Sequence, residues 1–325
     1  MKSKRLTFEN FDSPFITHGI DVIADPAPRV KDAVYIFAVN HLPNPDWVQA
    51  VTENRPHSKY MPKARSQMEL FHHVLGTSSV RHVRSIRHPL IKTPNDILAT
   101  SPYSFYVTND AHYREGTLRE IEHVMGRWST TVHVHMMYLE AENADDGVKA
   151  TVALKGLRNN NGLGRGRNES EIQIASAAGG FFYLGHLSND PEDPSIKLGD
   201  YIPLDSGLDN PSYFSDPFRK VSHDASGYIH AGLSHPLNFS KTIKDPSAKH
   251  GVMVWHVSPS NNSSSKKTGK WNKRLLFEDD GSRISTASAA VIVPIDPKKE
   301  GGKKKGWLFV TGFVSTNMIA VKVDL

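Results

Sequence analysis

No cysteine occurs among the 325 residues. That removes thiol nucleophiles, thiol redox chemistry, disulfides and cysteine-ligated zinc or iron–sulfur sites. Long apolar runs are missing as well. The longest, such as Ala33-Val34-Tyr35-Ile36-Phe37-Ala38-Val39, is strand-sized and far short of the roughly 18 residues a membrane-spanning helix needs. The basic opening, Met1-Lys2-Ser3-Lys4-Arg5-Leu6, is followed by Phe8-Glu9-Asn10-Phe11-Asp12 rather than an apolar stretch, so it does not read as a signal peptide. There is no Gly-x-Ser-x-Gly elbow, P-loop or His-Glu-x-x-His. Gly162-Leu163-Gly164-Arg165-Gly166 imitates a phosphate loop only superficially, because no strand–turn–helix unit frames it.

What is present suits a globular chain. Apolar residues are 38% and charged residues 22%, close to a soluble average, which argues against wholesale disorder, collagen or a membrane bundle. The net charge of +5 is concentrated in Lys298-Lys299-Glu300-Gly301-Gly302-Lys303-Lys304-Lys305 and around Lys266-Lys267. No aromatic residues interleave with these lysines, so they read as solvated loop tips, and no nucleic-acid partner is expected.

Short β-branched and aromatic runs that end in polar or small residues recur along the chain. They cover 33–39, 104–108, 180–186, 227–233 and 306–313, with further strand candidates at 132–139, 252–257 and 289–295. Repeated β units divided by turn residues predict a propeller or a sandwich. Helix is scarce: the best candidate is 115–126, ending at Gly126. Loop insertions are expected near 42–68, 258–273 and 297–306. The last two are rich in Ser, Asn, Lys, Gly and Pro, which cannot build a core. Strand candidates of similar character flank them, so the whole of 1–325 reads as one domain.

Four polar motifs stand beside apolar runs: Asn95-Asp96, Asn109-Asp110, Asn161-Gly162 and Asp209-Asn210. Their side-chain oxygens suit calcium, and equally they suit turns. His18 and His41 are candidates for proton transfer beside a bound cation, although 17 histidines make chance pairs common. His133 and His135 share one strand face. They lack a third ligand or a nearby carboxylate, so a packed or exposed strand face is the simpler reading.

Taken in order, His18-Gly19-Ile20, Val39-Asn40-His41, Ile86-Arg87-His88, Asn95-Asp96-Ile97, Tyr106-Val107-Thr108-Asn109-Asp110, Asn161-Gly162, Leu208-Asp209-Asn210 and His235-Pro236 resemble the serum paraoxonase/arylesterase family. The resemblance implies a six-bladed, all-β propeller and a calcium-dependent hydrolase of lactones and aryl esters. It implies that Asn95, Asn161, Asp209 and Asn210 hold a catalytic calcium, and that Asp96 and the Ile20 carbonyl hold a structural one. It further implies His18 as general base, His41 as its supporting partner, and Asp110 with His235 as an auxiliary polar pair. A small-molecule ester or lactone would be the partner.

The sequence departs from that family at its start. Family members carry a leading segment with a first blade, a signal or membrane anchor, and an adjacent Glu-Asp pair that ligates both ions. Only residues 1–17 precede His18, without such a pair, and Val323 stands where the family has a disulfide cysteine. A propeller short of about one blade is expected, with both calcium sites weakened because fewer charged ligands lower affinity. Membrane anchoring would need an upstream segment. The family points to an extracellular or secretory location, and the missing leader leaves the cytoplasm open. Sequons at Asn168, Asn238, Asn261 and Asn262 are compatible with a glycoprotein. Two other readings stand beside the enzyme: a non-catalytic propeller acting as an interaction scaffold, and a gluconolactonase-like or strictosidine-synthase-like propeller.

Overall fold

The computed structural model describes residues 4–27, 30–56, 61–126, 128–188, 190, 192–221, 223–236, 239, 242, 245, 247–260 and 270–325. The chain divides into two compact units, 1–157 and 158–325.

In the first unit, β1 (Thr7–Phe8), β2 (Thr17–Ala24), β3 (Ala33–Pro43), β4 (Ala64–Val74) and β5 (Ser79–Ile86) form a sheet in the order β1-β5-β4-β3-β2. All its pairings are antiparallel except β1 with β5. The next sheet is the meander β6 (Pro94–Ser101), β7 (Ser104–Asn109), β8 (Ser129–Met136) and β9 (Val148–Leu157). Inward residues of both sheets make one core, with Phe37, Met68, Leu70 and Ile86 packed against Ile97, Phe105, Val107, Val132 and Val134. Burying each such large side chain contributes about 1.5–3 kcal/mol relative to exposure. A second cluster of Phe11 and Phe71, with Phe8 and Phe15 against it, fastens the leading residues to the first sheet.

Two α-helices lie among the described residues of this unit. The segment 42–68, expected as a loop, instead holds the helix α1 (Pro45–Thr52), where Asn44 accepts from the Asp46 amide and Pro45 takes the first turn. The helix expected over 115–126 is α2 (Thr117–Met125).

The described residues of the second unit form three sheets. The first is the meander β10 (Asn160–Arg165), β11 (Glu171–Ser176), β12 (Phe181–Leu187) and β13 (Ile196–Pro203). The second comprises β14 (Gly207–Leu208), β15 (Ser212–Phe214), β16 (Gly227–Leu233), β17 (Val252–Pro259) and β18 (Trp271–Asp279), with β14 and β15 both pairing β16. The third is β19 (Ala287–Ile295), β20 (Lys305–Gly312) and β21 (Ile319–Asp324). Strand β16 serves two cores. Tyr228 faces Phe182, Leu184 and Ile202, whereas Ile229 and Ala231 face Ala290, Leu308 and Val310. This is the period-two alternation of a strand buried on both sides.

The all-β class expected from the sequence stands: the described residues form five consecutive sheets, against the expectation of a six-bladed propeller short of about one blade. The segment 297–306 holds a short 3-10 helix, Pro297–Glu300, before β20 begins. Within the expected 258–273 loop, residues 261–269 lie outside the described residues, as do the sequons at Asn261 and Asn262 and that at Asn238.

Candidate active site

In the first unit, β2 and β3 pair with a register shift between Thr17 and Ile20. The extra residue makes a bulge at His18-Gly19, and bulges re-aim side chains. His18 thereby meets His41 across the pair, with Nδ1 3.2 Å from His41 Nε2. Further along, His41 lies opposite Ser66 in the β3–β4 register, and His41 Nδ1 is 2.6 Å from Ser66 Oγ. Arg114 reaches the same hydroxyl through Nη2 and also donates to the Lys92 carbonyl at 3.0 Å.

The strand segment bearing His41 is held from behind. Asn40 is fully buried; its Oδ1 accepts from the Ile16 amide at 2.9 Å, and its Nδ2 donates to the Pro14 carbonyl and to Glu69 Oε1, each at 3.0 Å. Glu69 also accepts from Gln67, His82 and Ser85. Burial pushes its carboxyl up, but the hydrogen bonds from His82, Gln67, Asn40 and Ser85 together hold it below the usual carboxylate range.

Burial lowers the pKa of His18, with the nearby Asp110 opposing and Arg119 reinforcing the shift. His18 nonetheless remains an exposed residue, so its packed ring borders solvent. Burial also pushes His41 down to about 4, helped by His18 and Arg114 and opposed by Asp110. The carboxylate of Asp110 is itself clamped by Arg119, Nη2 to Oδ2 at 2.6 Å.

The bulge glycine has a second consequence. A Cβ on Gly19 would lie 2.3 Å from the Asn95 carbonyl oxygen and 2.8 Å from Asp96 Oδ1, so only glycine lets β2 approach β6 this closely. The Ile20 backbone, Asn95 and Asp96 are drawn together as a result. Asn95 and Asp96 are buried, at 5% and 3% exposure, and Asp96 receives the Ile97 amide on Oδ1 at 2.9 Å.

In the second unit, Gly162 plays the equivalent part. Its Cβ would fall 2.3 Å from the Asp209 carbonyl oxygen, so Asn161-Gly162 on β10 and Asp209-Asn210 are neighbours. The Asp209 amide donates to the Ala231 carbonyl at 3.1 Å, and that of Asn210 to the Ser288 carbonyl at 2.9 Å. Burial pushes the Asp209 carboxyl up to about 7. One carboxylate and two amides are hard oxygen donors, and a buried carboxylate with a raised pKa is stabilised in its charged form by a divalent cation. The donor set therefore fits calcium. Among the described residues no three His, Asp or Glu side chains converge to hold a metal, so such a site would draw on amide and carbonyl oxygens.

The remaining expected residues have local partners. His235 is exposed, with Nδ1 3.0 Å from Ser234 Oγ. His133 packs on Tyr106 at 4.9 Å between ring centroids, and His135 Nδ1 meets Ser104 Oγ at 2.8 Å. Asn168 turns its Oδ1 inward to the Ser170 and Glu171 amides. Ser66, Arg114 and Glu69 did not stand out in the sequence. Ser66 could have been found only through the β3–β4 register, which a run of single-strand patterns does not supply.

The sequence model of the Arylesterase family matches residues 13–155. Serum paraoxonase/arylesterase 2 of Gallus gallus is 34% identical over 120 residues, covering 37% of this chain and 27% of that protein. Serum paraoxonase/arylesterase 1 of Homo sapiens is 32% identical over 130 residues, covering 39% of this chain and 30% of that protein. Serum paraoxonase/arylesterase 2 of Homo sapiens is 24% identical over 279 residues, covering 86% of this chain and 64% of that protein. The chain thus spans less than two thirds of each relative's length. Residues 13–155 contain the whole His18–His41–Ser66 line and the Gly19–Asp96 contact, and it is through that segment above all that the chain is similar to serum paraoxonase/arylesterase proteins.

Proposed function

We propose that the protein hydrolyses carboxylic esters, with lactones and aryl esters as the substrate class and calcium as cofactor. The observation that carries this reading is the His18–His41–Ser66 line inside the segment that matches the Arylesterase family. His18, exposed and with a lowered pKa, is neutral near pH 7 and can take a proton from an attacking water. His41 stays neutral under the same conditions and fixes the His18 ring through its 3.2 Å contact. Water attack on the carbonyl needs no acyl-enzyme, in keeping with the lack of a nucleophile elbow in the sequence.

Asn161, Asp209 and Asn210 are the proposed oxygen donors for calcium in the second unit. In the first unit the proposed donors are Asn95 and, for a separate structural ion, Asp96 with the Ile20 carbonyl. A calcium ion bound at such donors supplies Lewis-acid polarisation of the ester carbonyl and stabilises the developing oxyanion. Asp110, held by Arg119, keeps a negative charge near His18 and favours the imidazolium that forms on proton uptake. His235 is proposed as an auxiliary polar group. A secretory or extracellular setting follows the relatives' description as serum proteins, and no described helix is long and apolar enough to cross a membrane.

Hydrolysis of phenyl acetate and of a δ-lactone, with and without a chelator, tests the reading. Turnover should fall on chelation and return with calcium, and His18→Gln should lower kcat by roughly 100-fold or more. Turnover that survives complete calcium removal would overturn the metal's role, and an unchanged kcat in the variant would overturn that of His18.

A further inference from the structure

Ser66 Oγ has two partners among the described residues, Arg114 Nη2 and His41 Nδ1. A guanidinium can only donate, so Arg114 occupies one lone pair of the hydroxyl. Ser66 is 7% exposed, and a buried O–H without an acceptor is costly. The acceptor within reach is His41 Nδ1 at 2.6 Å. If Ser66 donates there, His41 must carry its proton on Nε2 and donate it to His18 Nδ1 at 3.2 Å. His18 is then left with Nε2–H as its outer group.

We propose that Ser66, held by Arg114, is a positioning residue that sets the proton direction of the His18–His41 pair. At rest the hydroxyl donates to His41 Nδ1. For His18 to accept a water proton on Nε2, its own proton must first sit on Nδ1, from where it is donated as a hydrogen bond to His41 Nε2. His41 then carries its proton on Nδ1, and Ser66 must accept it. Turning the hydroxyl hydrogen away opens the second lone pair for this, while Arg114 stays on the first. The number of protons is the same in both settings; only their places along the line differ. An alanine at position 66 could neither donate nor accept, and would leave a buried ring nitrogen unsatisfied in either setting. The depressed pKa of His41 agrees with a neutral ring whose tautomer matters.

This inference rests on the hydrolase reading for its kinetic consequence but not for its resting state. The test therefore has two arms on the full chain. Long-range 15N–1H correlation spectra, with the His41 signals assigned through His41→Gln, report the resting tautomer without any substrate. The expected result is the Nε2–H form in the wild type and a shift toward the other tautomer in Ser66→Ala. A wild-type Nδ1–H form, or a spectrum unmoved by Ser66→Ala, overturns the proposal. In the kinetic arm, Ser66→Ala should lower kcat about 10-fold or more with KM little changed, and Ser66→Thr, which keeps the hydroxyl, should restore most of it. Equal kcat in wild type and Ser66→Ala, or a loss that Ser66→Thr does not restore in a variant that melts normally, also overturns it. If the wild type turns over no ester or lactone, the hydrolase reading fails, and the tautomer spectra still decide the role of Ser66.

Discussion

His230 is fully buried on β16, with its ring 3.9 Å from that of Phe182, and neither ring nitrogen meets a partner among the described residues. Burial pushes its pKa down to about 3. In an unfolded chain the same imidazole titrates at about 6.5. Between those values the unfolded state binds the extra proton, so stability present above about pH 6.5 is lost as the pH falls toward 3. At 1.36 kcal/mol per unit, lowering the pH from 7 to 4 removes about 3 kcal/mol through this one residue. His230→Leu keeps the apolar packing and discards the titration. Thermal melts of the two proteins should separate progressively in the variant's favour from pH 7 to pH 4; curves that run parallel would show that the ring is not the acid-sensitive group. His256, pushed down to about 4 by burial, remains in both and sets a shared background. Nothing in the sequence marks His230 or Ser66, because their roles come from what lies across a sheet rather than along a strand. His18, His41, Asn95, Asp96, Asn161 and Asp209 stand out in the sequence because each belongs to a short motif.

At the scale of elements, what could be read followed the strength of the pattern. Strands β3, β7, β12, β16, β17, β19 and β20 carry dense apolar or aromatic runs and form where the sequence expects them. Strands β2, β9 and β10 do not. Thr17–Ala24 leaves five of its eight residues exposed, and Asn160–Arg165 opens with asparagines that read as a turn. Their strand form comes from partners, β3 and β6 for β2, and β11 for β10. That dependence makes the glycines in them sensitive. Gly19→Ala would place a methyl group 2.3 Å from the Asn95 carbonyl oxygen, closer than any tolerated contact. Backbone must shift, at a cost of about 1–3 kcal/mol. The strand that shifts carries His18. The variant should therefore melt lower and lose esterase activity together, measured by circular dichroism and by phenyl acetate turnover. A variant with wild-type melting and turnover would mean that β2 can stand off from β6 without consequence for the His18–His41 contact.

At the scale of the whole molecule, the proposed ion binding would be linked to folding through Asp209. Its folded pKa of about 7 lies above the usual carboxylate value, so the folded state holds a proton that the unfolded state has lost. Stability therefore falls as the pH rises from about 4 through 7, and at pH 8 the full cost of an ionised buried carboxylate is present. Asp209→Asn removes that cost, and without calcium the variant should melt at or above the wild type at pH 8. A bound divalent ion would offset the same cost in the wild type. With one carboxylate among mostly amide donors, affinity should lie near the millimolar range. Calcium at about five times such a dissociation constant adds about 1 kcal/mol of stability, or a rise in Tm of about 1–2 °C. Scanning calorimetry at pH 8 across a calcium series should show that rise in the wild type and a smaller one, owed to the first-unit donors alone, in Asp209→Asn. An equal rise in both would place the ion elsewhere, and a submicromolar dissociation constant by isothermal titration would mean that more charged ligands surround it than Asn161, Asp209 and Asn210 provide.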